Sequence, residues 1–85
     1  MQDEYILKVL QSVAQSITGS PNELPIDCEF TLLGLNSIDI ITIISKVEKE
    51  FNIRFDSHDL ILENFSSIYK IKHQVLRKKN RKSDT

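Results

Sequence analysis

Cysteine, glycine, proline and long apolar runs are all scarce in this chain, and each scarcity narrows what it can be. The single cysteine, Cys28, has no internal partner for a disulfide and no metal-ligand spacing with the two histidines, His58 and His73. A reducing, cytoplasmic setting fits that usage. Two glycines and two prolines in 85 residues exclude a loop-rich or fibrous chain. No apolar run approaches the roughly 18 residues of a membrane span, so no membrane partner is expected. The opening Met1-Gln2-Asp3-Glu4 is acidic and lacks the basic-then-apolar layout of a secretion signal. There is no glycine-rich phosphate loop. What is left is one small domain with a marginal core.

Charge is unevenly spread. Arg77, Lys78, Lys79, Arg81 and Lys82 stand against Asp84 alone near the end of the chain, while the preceding part carries a net negative charge. Such a tail can meet nucleic acid or anionic lipid. No basic or aromatic pattern continues it onto the body, so a solvated helix end whose cations complement the C-terminal dipole is the simpler reading, without nucleic acid. The chain divides into a domain over 1–79 and a basic, disordered tail over 80–85.

Three amphipathic segments account for most of the domain. Ile6, Val9, Leu10, Val13 and Ile17 follow the spacing of one helical face and predict a helix from about Asp3 to Thr18, stopped at Gly19. Ile40, Ile43, Ile44, Val47 and Phe51 predict a second, from Ser37 to about Asn52. Lys46 and Glu50, four apart, would pair on its outer side. Ile68, Ile71, Val75 and Leu76 predict a last helix from Ser67 to about Lys79, capped by Ser66. A short helix is expected at Ser57–Glu63, broken by Asn64. The long segment 20–36 is too apolar for a free linker, and Leu24, Ile26, Phe30, Leu32, Leu33 and Leu35 are expected to pin it across the helices. The expected fold is all-α, a small bundle of three main helices plus one short helix.

The stretch Gly34-Leu35-Asn36-Ser37-Ile38-Asp39 holds the candidate site. Asn36 is a good N-cap residue, and Asp39 can reach back to the free donors of the first turn. Ser37 then displays its hydroxyl at the positive end of the helix, a natural place for a phosphate. Ile38, Ile41 and Ser45 lie off the inner stripe, beside Ser37. They read equally well as a partner surface or as a flank covered by the long loop. A nucleophilic serine would need a base, and neither histidine has a recognisable relation to Ser37. A bundle this small leaves no room for a pocket beside it, which argues against catalysis. Glu23, Asp27 and Glu29 lack the pattern of a calcium loop.

Phe30-Thr31-Leu32-Leu33-Gly34-Leu35-Asn36-Ser37-Ile38-Asp39, followed by Val47-Glu48-Lys49-Glu50-Phe51-Asn52-Ile53, resembles the acyl carrier protein family. The likeness covers nearly the whole chain, including the Asn64-Phe65-Ser66-Ser67-Ile68 lead into the last helix. It implies that Ser37 accepts 4'-phosphopantetheine from coenzyme A, delivered by a phosphopantetheinyl transferase. Acyl groups then ride as thioesters between acyl-loading, ketosynthase or acyltransferase-type enzymes. The chain itself is then a non-catalytic, monomeric carrier, with Asn36, Ile38, Asp39, Ile41 and Ser45 as the docking residues. Asn36 stands where the family most often has aspartate, and Lys46 and Lys49 make the second helix less acidic than usual. These departures favour a specialised carrier, for polyketide or related fatty-acid-type synthesis. The alternative is a peptidyl or aminoacyl carrier of a nonribosomal or D-alanylation-type pathway.

Overall fold

Helix α1 (Gln2–Thr18) starts with Asp3 and Glu4 in its first turn, where the helix dipole favours negative charge. It stops at Gly19, whose φ of 75° is open to glycine at little cost and whose N–H closes on the Gln15 carbonyl at 2.7 Å. Its buried side chains are Ile6, Leu10, Val13 and Ala14, while Val9 and Ile17 are half-buried at the margin of the core. Helices α2 (Ser37–Phe51) and α3 (Ile68–Lys82) both pack against α1, and 3-10 turns form at Phe30–Leu33 and Leu62–Phe65. The structure, a computed structural model, describes residues 2–82, which contain helices, turns and no strand. The all-α bundle expected from periodicity is the fold observed.

The core is shared among all the elements. Ile40, Ile43, Ile44, Val47 and Phe51 of α2 share one core with Ile68, Ile71 and Val75 of α3 and with Phe30, Phe55 and Phe65. Phe55 and Phe65 meet edge-to-face at 5.0 Å, an arrangement that adds about 1 kcal/mol beyond the area they bury. Leu76 packs half-buried against the same core. Among the described residues no buried side-chain nitrogen or oxygen lacks a hydrogen-bond partner.

The long segment between α1 and α2 is held by polar contacts as much as by apolar ones. Gln11, buried on α1, donates from Nε2 to the Leu24 carbonyl at 2.6 Å and accepts the Leu24 N–H at 2.8 Å. Phe30 N–H donates to the Ser66 carbonyl, and Tyr69 N–H donates to the Ile26 carbonyl. Of the six apolar residues expected to pin this segment, Phe30 and Leu35 are buried and Leu24 and Leu33 half-buried. Leu32 and Ile26 are exposed, because the backbone bonds to Ser66 and Tyr69 fix the path without them.

Three expectations need correction downstream. Residues 57–63 do not form a helix. A turn closes at Asp59, whose N–H meets the Asp56 carbonyl, and the 3-10 turn Leu62–Phe65 comes later and contains Asn64. The Asn64 side chain donates to the Asp59 carbonyl, which ties the two turns together and competes with helix formation. The cap of α3 is Ser67, whose Oγ accepts the Lys70 N–H at 3.2 Å, while Ser66 Oγ donates to the Glu63 carbonyl. Finally, α3 continues to Lys82, and of the stretch set apart as a basic tail, residues 83–85 lie outside the described residues. Lys78, counted in the basic run that begins at Arg77, folds back onto the body. Its Nζ lies 3.0 Å from both Asp56 Oδ2 and Asp59 Oδ2. This bonding holds the Asp59 carboxyl below its ordinary value and raises the Lys78 ammonium above its own.

Candidate functional site

Gly34 sets the approach to the site. It sits at φ 89°, ψ 9°, donates to the Thr31 carbonyl, and turns the chain so that Leu35 buries and Asn36 arrives extended. Asn36 Oδ1 then accepts the Asp39 N–H at 2.9 Å, and Asp39 Oδ2 accepts the Asn36 N–H at 3.1 Å. This is the reciprocal capping box that the sequence pattern predicts. Ser37 is the first residue of α2 and is exposed. The box uses the Asn36 and Asp39 N–H groups, which leaves those of Ser37 and Ile38 in the first turn of α2, at the positive end of the helix dipole.

Two grooves meet at Ser37. One, of ≈510 Å³, runs between α2 and residues 60–62 and is lined by Ser37, Ile41, Ile44, Ser45, Glu48, Leu60, Ile61 and Leu62. The other, of ≈310 Å³, lies toward α3 and carries Glu29, Thr31, Ile40, Leu62, Glu63, Ser66 and Lys70. The expectation that so small a bundle leaves no room beside the serine is therefore corrected. Beside Ser37 the fold leaves two open clefts, of which the one between α2 and residues 60–62 is the more apolar.

Ile38 is 71% and Ile41 55% exposed, so the long loop does not cover them. Ser45 is exposed on the same side. The structure thus brings Asn36, Ser37, Ile38, Asp39, Ile41 and Ser45 together around the start of α2. Leu60, Ile61 and Leu62, each about half exposed, escaped the sequence reading because they were assigned to a helix. The signal was there: three apolar residues in a row match neither one helical face nor a half-buried strand. Glu48 also has an unexpected role. Its Oε2 accepts the Phe55 N–H at 2.9 Å, and so fixes the chain leaving α2. The expected Lys46–Glu50 ion pair is not among those formed by the described residues.

Chemically, the Ser37 hydroxyl has no hydrogen bond to a base, and neither histidine lines a groove that Ser37 lines. His73 instead stacks edge-on against Tyr69 at 4.7 Å. No group of three or more His, Cys, Asp or Glu side chains among the described residues could hold a metal ion. No described helix is long and apolar enough to cross a membrane. What the site offers is an accessible hydroxyl, free backbone donors suited to a phosphate, and a long cleft beside them.

No curated protein and no solved structure matches the chain. Residues 8–74, which hold the whole site, match the family model described as the phosphopantetheine attachment site. The chain therefore belongs to the family of phosphopantetheine-binding carrier proteins, domains that are generally non-catalytic and to which 4'-phosphopantetheine is covalently attached.

Proposed function

We propose that the chain is an acyl carrier protein and that Ser37 is its attachment residue. In supplying a terminal thiol, the bound 4'-phosphopantetheine supplies the group that forms thioesters. The residues of the chain present and steady that attachment. The capping box orients the first turn of α2, and the Ser37 and Ile38 N–H groups favour a phosphodiester on the Ser37 oxygen. Ile38, Ile41 and Ser45, with Asn36 and Asp39 at the helix start, form the surface on which a transferase and acyl-handling enzymes dock. An interface used in turn by several enzymes suits a modest exposed patch better than an extended apolar one.

The observation that carries the acyl reading is the apolar cleft that opens at Ser37, walled by Ile41, Ile44, Leu60, Ile61 and Leu62. Each methylene shielded there contributes up to about 0.8 kcal/mol, a gain open to an alkyl chain and largely closed to a charged aminoacyl group. Polyketide or specialised fatty-acid-type synthesis is the corresponding pathway class. Intact mass after incubation with coenzyme A and a broad-specificity phosphopantetheinyl transferase tests the attachment. The expected result is a gain of one phosphopantetheine, absent in Ser37→Ala; a gain that persists in Ser37→Ala refutes the residue assignment. Loading of an amino acid by an adenylating enzyme, with no acylation by acyl-transferring ones, would overturn the acyl reading in favour of a peptidyl or aminoacyl carrier.

A further inference from the structure

The apolar cleft beside Ser37 has walls of unequal firmness. Ile41 and Ile44 of α2 form one side, and Ile44 is buried in the core. Leu60, Ile61 and Leu62 form the other; each is about half exposed and none belongs to the buried core. Apolar burial therefore fixes the first wall far more than the second. Polar ties hold the second. The Leu60 N–H donates to the Ser57 carbonyl at 3.3 Å, and the Asp59 carbonyl accepts both the Ile61 N–H at 2.8 Å and the Asn64 side chain at 3.1 Å. Asp59 is thus the node from which this wall hangs. Its side chain is 14% exposed, and its Oδ2 lies 3.0 Å from Nζ of Lys78, a side chain 13% exposed. The same ammonium lies 3.0 Å from Asp56 Oδ2, at the start of the turn, and the Asp56 N–H donates to Asp59 Oδ2 at 3.4 Å. No other ion pair among the described residues reaches either carboxylate. Take the ammonium away, and two carboxylates closing one turn are left to repel each other with no cation in contact.

We infer that Lys78 is a positioning residue for the cleft: its ammonium, through Asp56 and Asp59, holds Leu60, Ile61 and Leu62 in place and so sets the width open to a carried alkyl chain. This rests on the acyl reading of the cleft and adds to it the residue that governs the grip. Lys78 lines neither groove at Ser37, so it acts only through the turn. A flexible chain is shielded only where both walls touch it, and a wall that moves away forfeits the contacts on its side. Lys78 thus bears on how firmly a load is held and not on whether Ser37 is modified.

The test uses the 15N-labelled full chain and its variants Lys78→Met, Lys78→Arg and Asp59→Asn, with Gln11→Leu as a control for general loss of stability. In the unloaded chain, Lys78→Met should shift the amide signals of Leu60, Ile61 and Leu62. It should also speed their hydrogen exchange about tenfold relative to Ile43 and Val47 of α2. Asp59→Asn should give the same pattern from the other side of the pair. Lys78→Arg, which keeps the charge and can reach both carboxylates, should stay close to the parent. Gln11→Leu should leave the ratio of wall to core exchange unchanged. The second measurement is the rise in Tm when an octanoyl thioester replaces the free thiol of the attached phosphopantetheine. That rise should fall by half or more in Lys78→Met and survive in Lys78→Arg. Wall signals in Lys78→Met and Asp59→Asn that match the parent overturn the inference, as does a wall-to-core ratio changed equally by Gln11→Leu. An undiminished rise in Lys78→Met overturns it too. A parent chain that gains no Tm from octanoyl would instead overturn the acyl reading of the cleft, and the unloaded variants would still decide whether Lys78 positions the wall.

Discussion

Replacing Asn36 by alanine removes one half of the capping box and leaves the other without its geometry. The lost bond is the 2.9 Å contact from the Asp39 N–H to Asn36 Oδ1, which satisfies one of the orphan donors of the first turn. Losing such a cap costs about 1 kcal/mol. A chain of 85 residues has an unfolding entropy near 0.18 kcal/mol/K, so Tm should fall by about 5–6 °C. Asp39→Ala removes the reciprocal 3.1 Å bond to the Asn36 N–H and the favourable negative charge at the helix start, with a similar cost. Since the two bonds support one another, the double variant should lose less than the two single losses added together, by 0.5 kcal/mol or more. Asn36→Asp keeps the acceptor and adds a charge the dipole favours, but sets it beside the Asp39 carboxylate. Its Tm should stay within about 2 °C of the parent. Thermal melts followed at 222 nm, at pH 7 and fixed salt, give all four values. A drop below 1 °C for Asn36→Ala, or strict additivity in the double variant, would refute the box as the device that orders the Ser37 turn.

Other perturbations test the rest of the frame. Lys78→Met removes both contacts to Asp56 and Asp59 and should lower Tm by about 5 °C at neutral pH, since a partly shielded pair contributes on the order of 1 kcal/mol. The loss should be constant from about pH 5 to 9. The Asp59 carboxyl is held low, so the parent's advantage fades as pH falls through that lowered value. The Lys78 ammonium is held high, so it fades again only as pH rises past 10.5. A difference that grows in acid would refute the pairing. Gln11→Leu strands the Leu24 N–H and carbonyl and should cost about 2 kcal/mol, against little if the amide were ornamental. Urea denaturation of the pair would read it. Gly34→Ala meets no neighbouring atom within 4 Å, yet forces a side chain to φ 89°, at about 1–2 kcal/mol by the same melt.

Helices α1 and α2 and the capping box were legible because each is a local pattern. The spacing of Ile6, Leu10 and Val13, or the pairing of Asn36 with Asp39, needs only residues within a few turns of one another. What it hid depends on distant partners. Nothing near Gln11 in sequence shows that its amide binds Leu24. Nothing near Lys78 shows that two aspartates about twenty residues earlier claim it, nor that Glu48 turns from solvent to the Phe55 N–H. The misread 57–63 stretch has the same origin. Its residues suit a short helix locally, and the long-range ties at Asp59 select a turn. At the site, Ser37 and its isoleucine neighbours were legible, while the wall of Leu60, Ile61 and Leu62 followed only once that turn was known.

The Lys78 contacts also bear on how this domain can be joined to others. A fusion that grafts a linker directly after Arg77 discards the strut between α3 and the segment leading to the apolar cleft. One that begins its linker after Lys79 keeps it, along with the cation that Lys79 holds 5.8 Å over the Phe51 ring. Two residues of chain thus separate a graft that preserves the cleft wall beside Ser37 from one that lets it drift. The safe splice point is set by side chains far from the serine it protects.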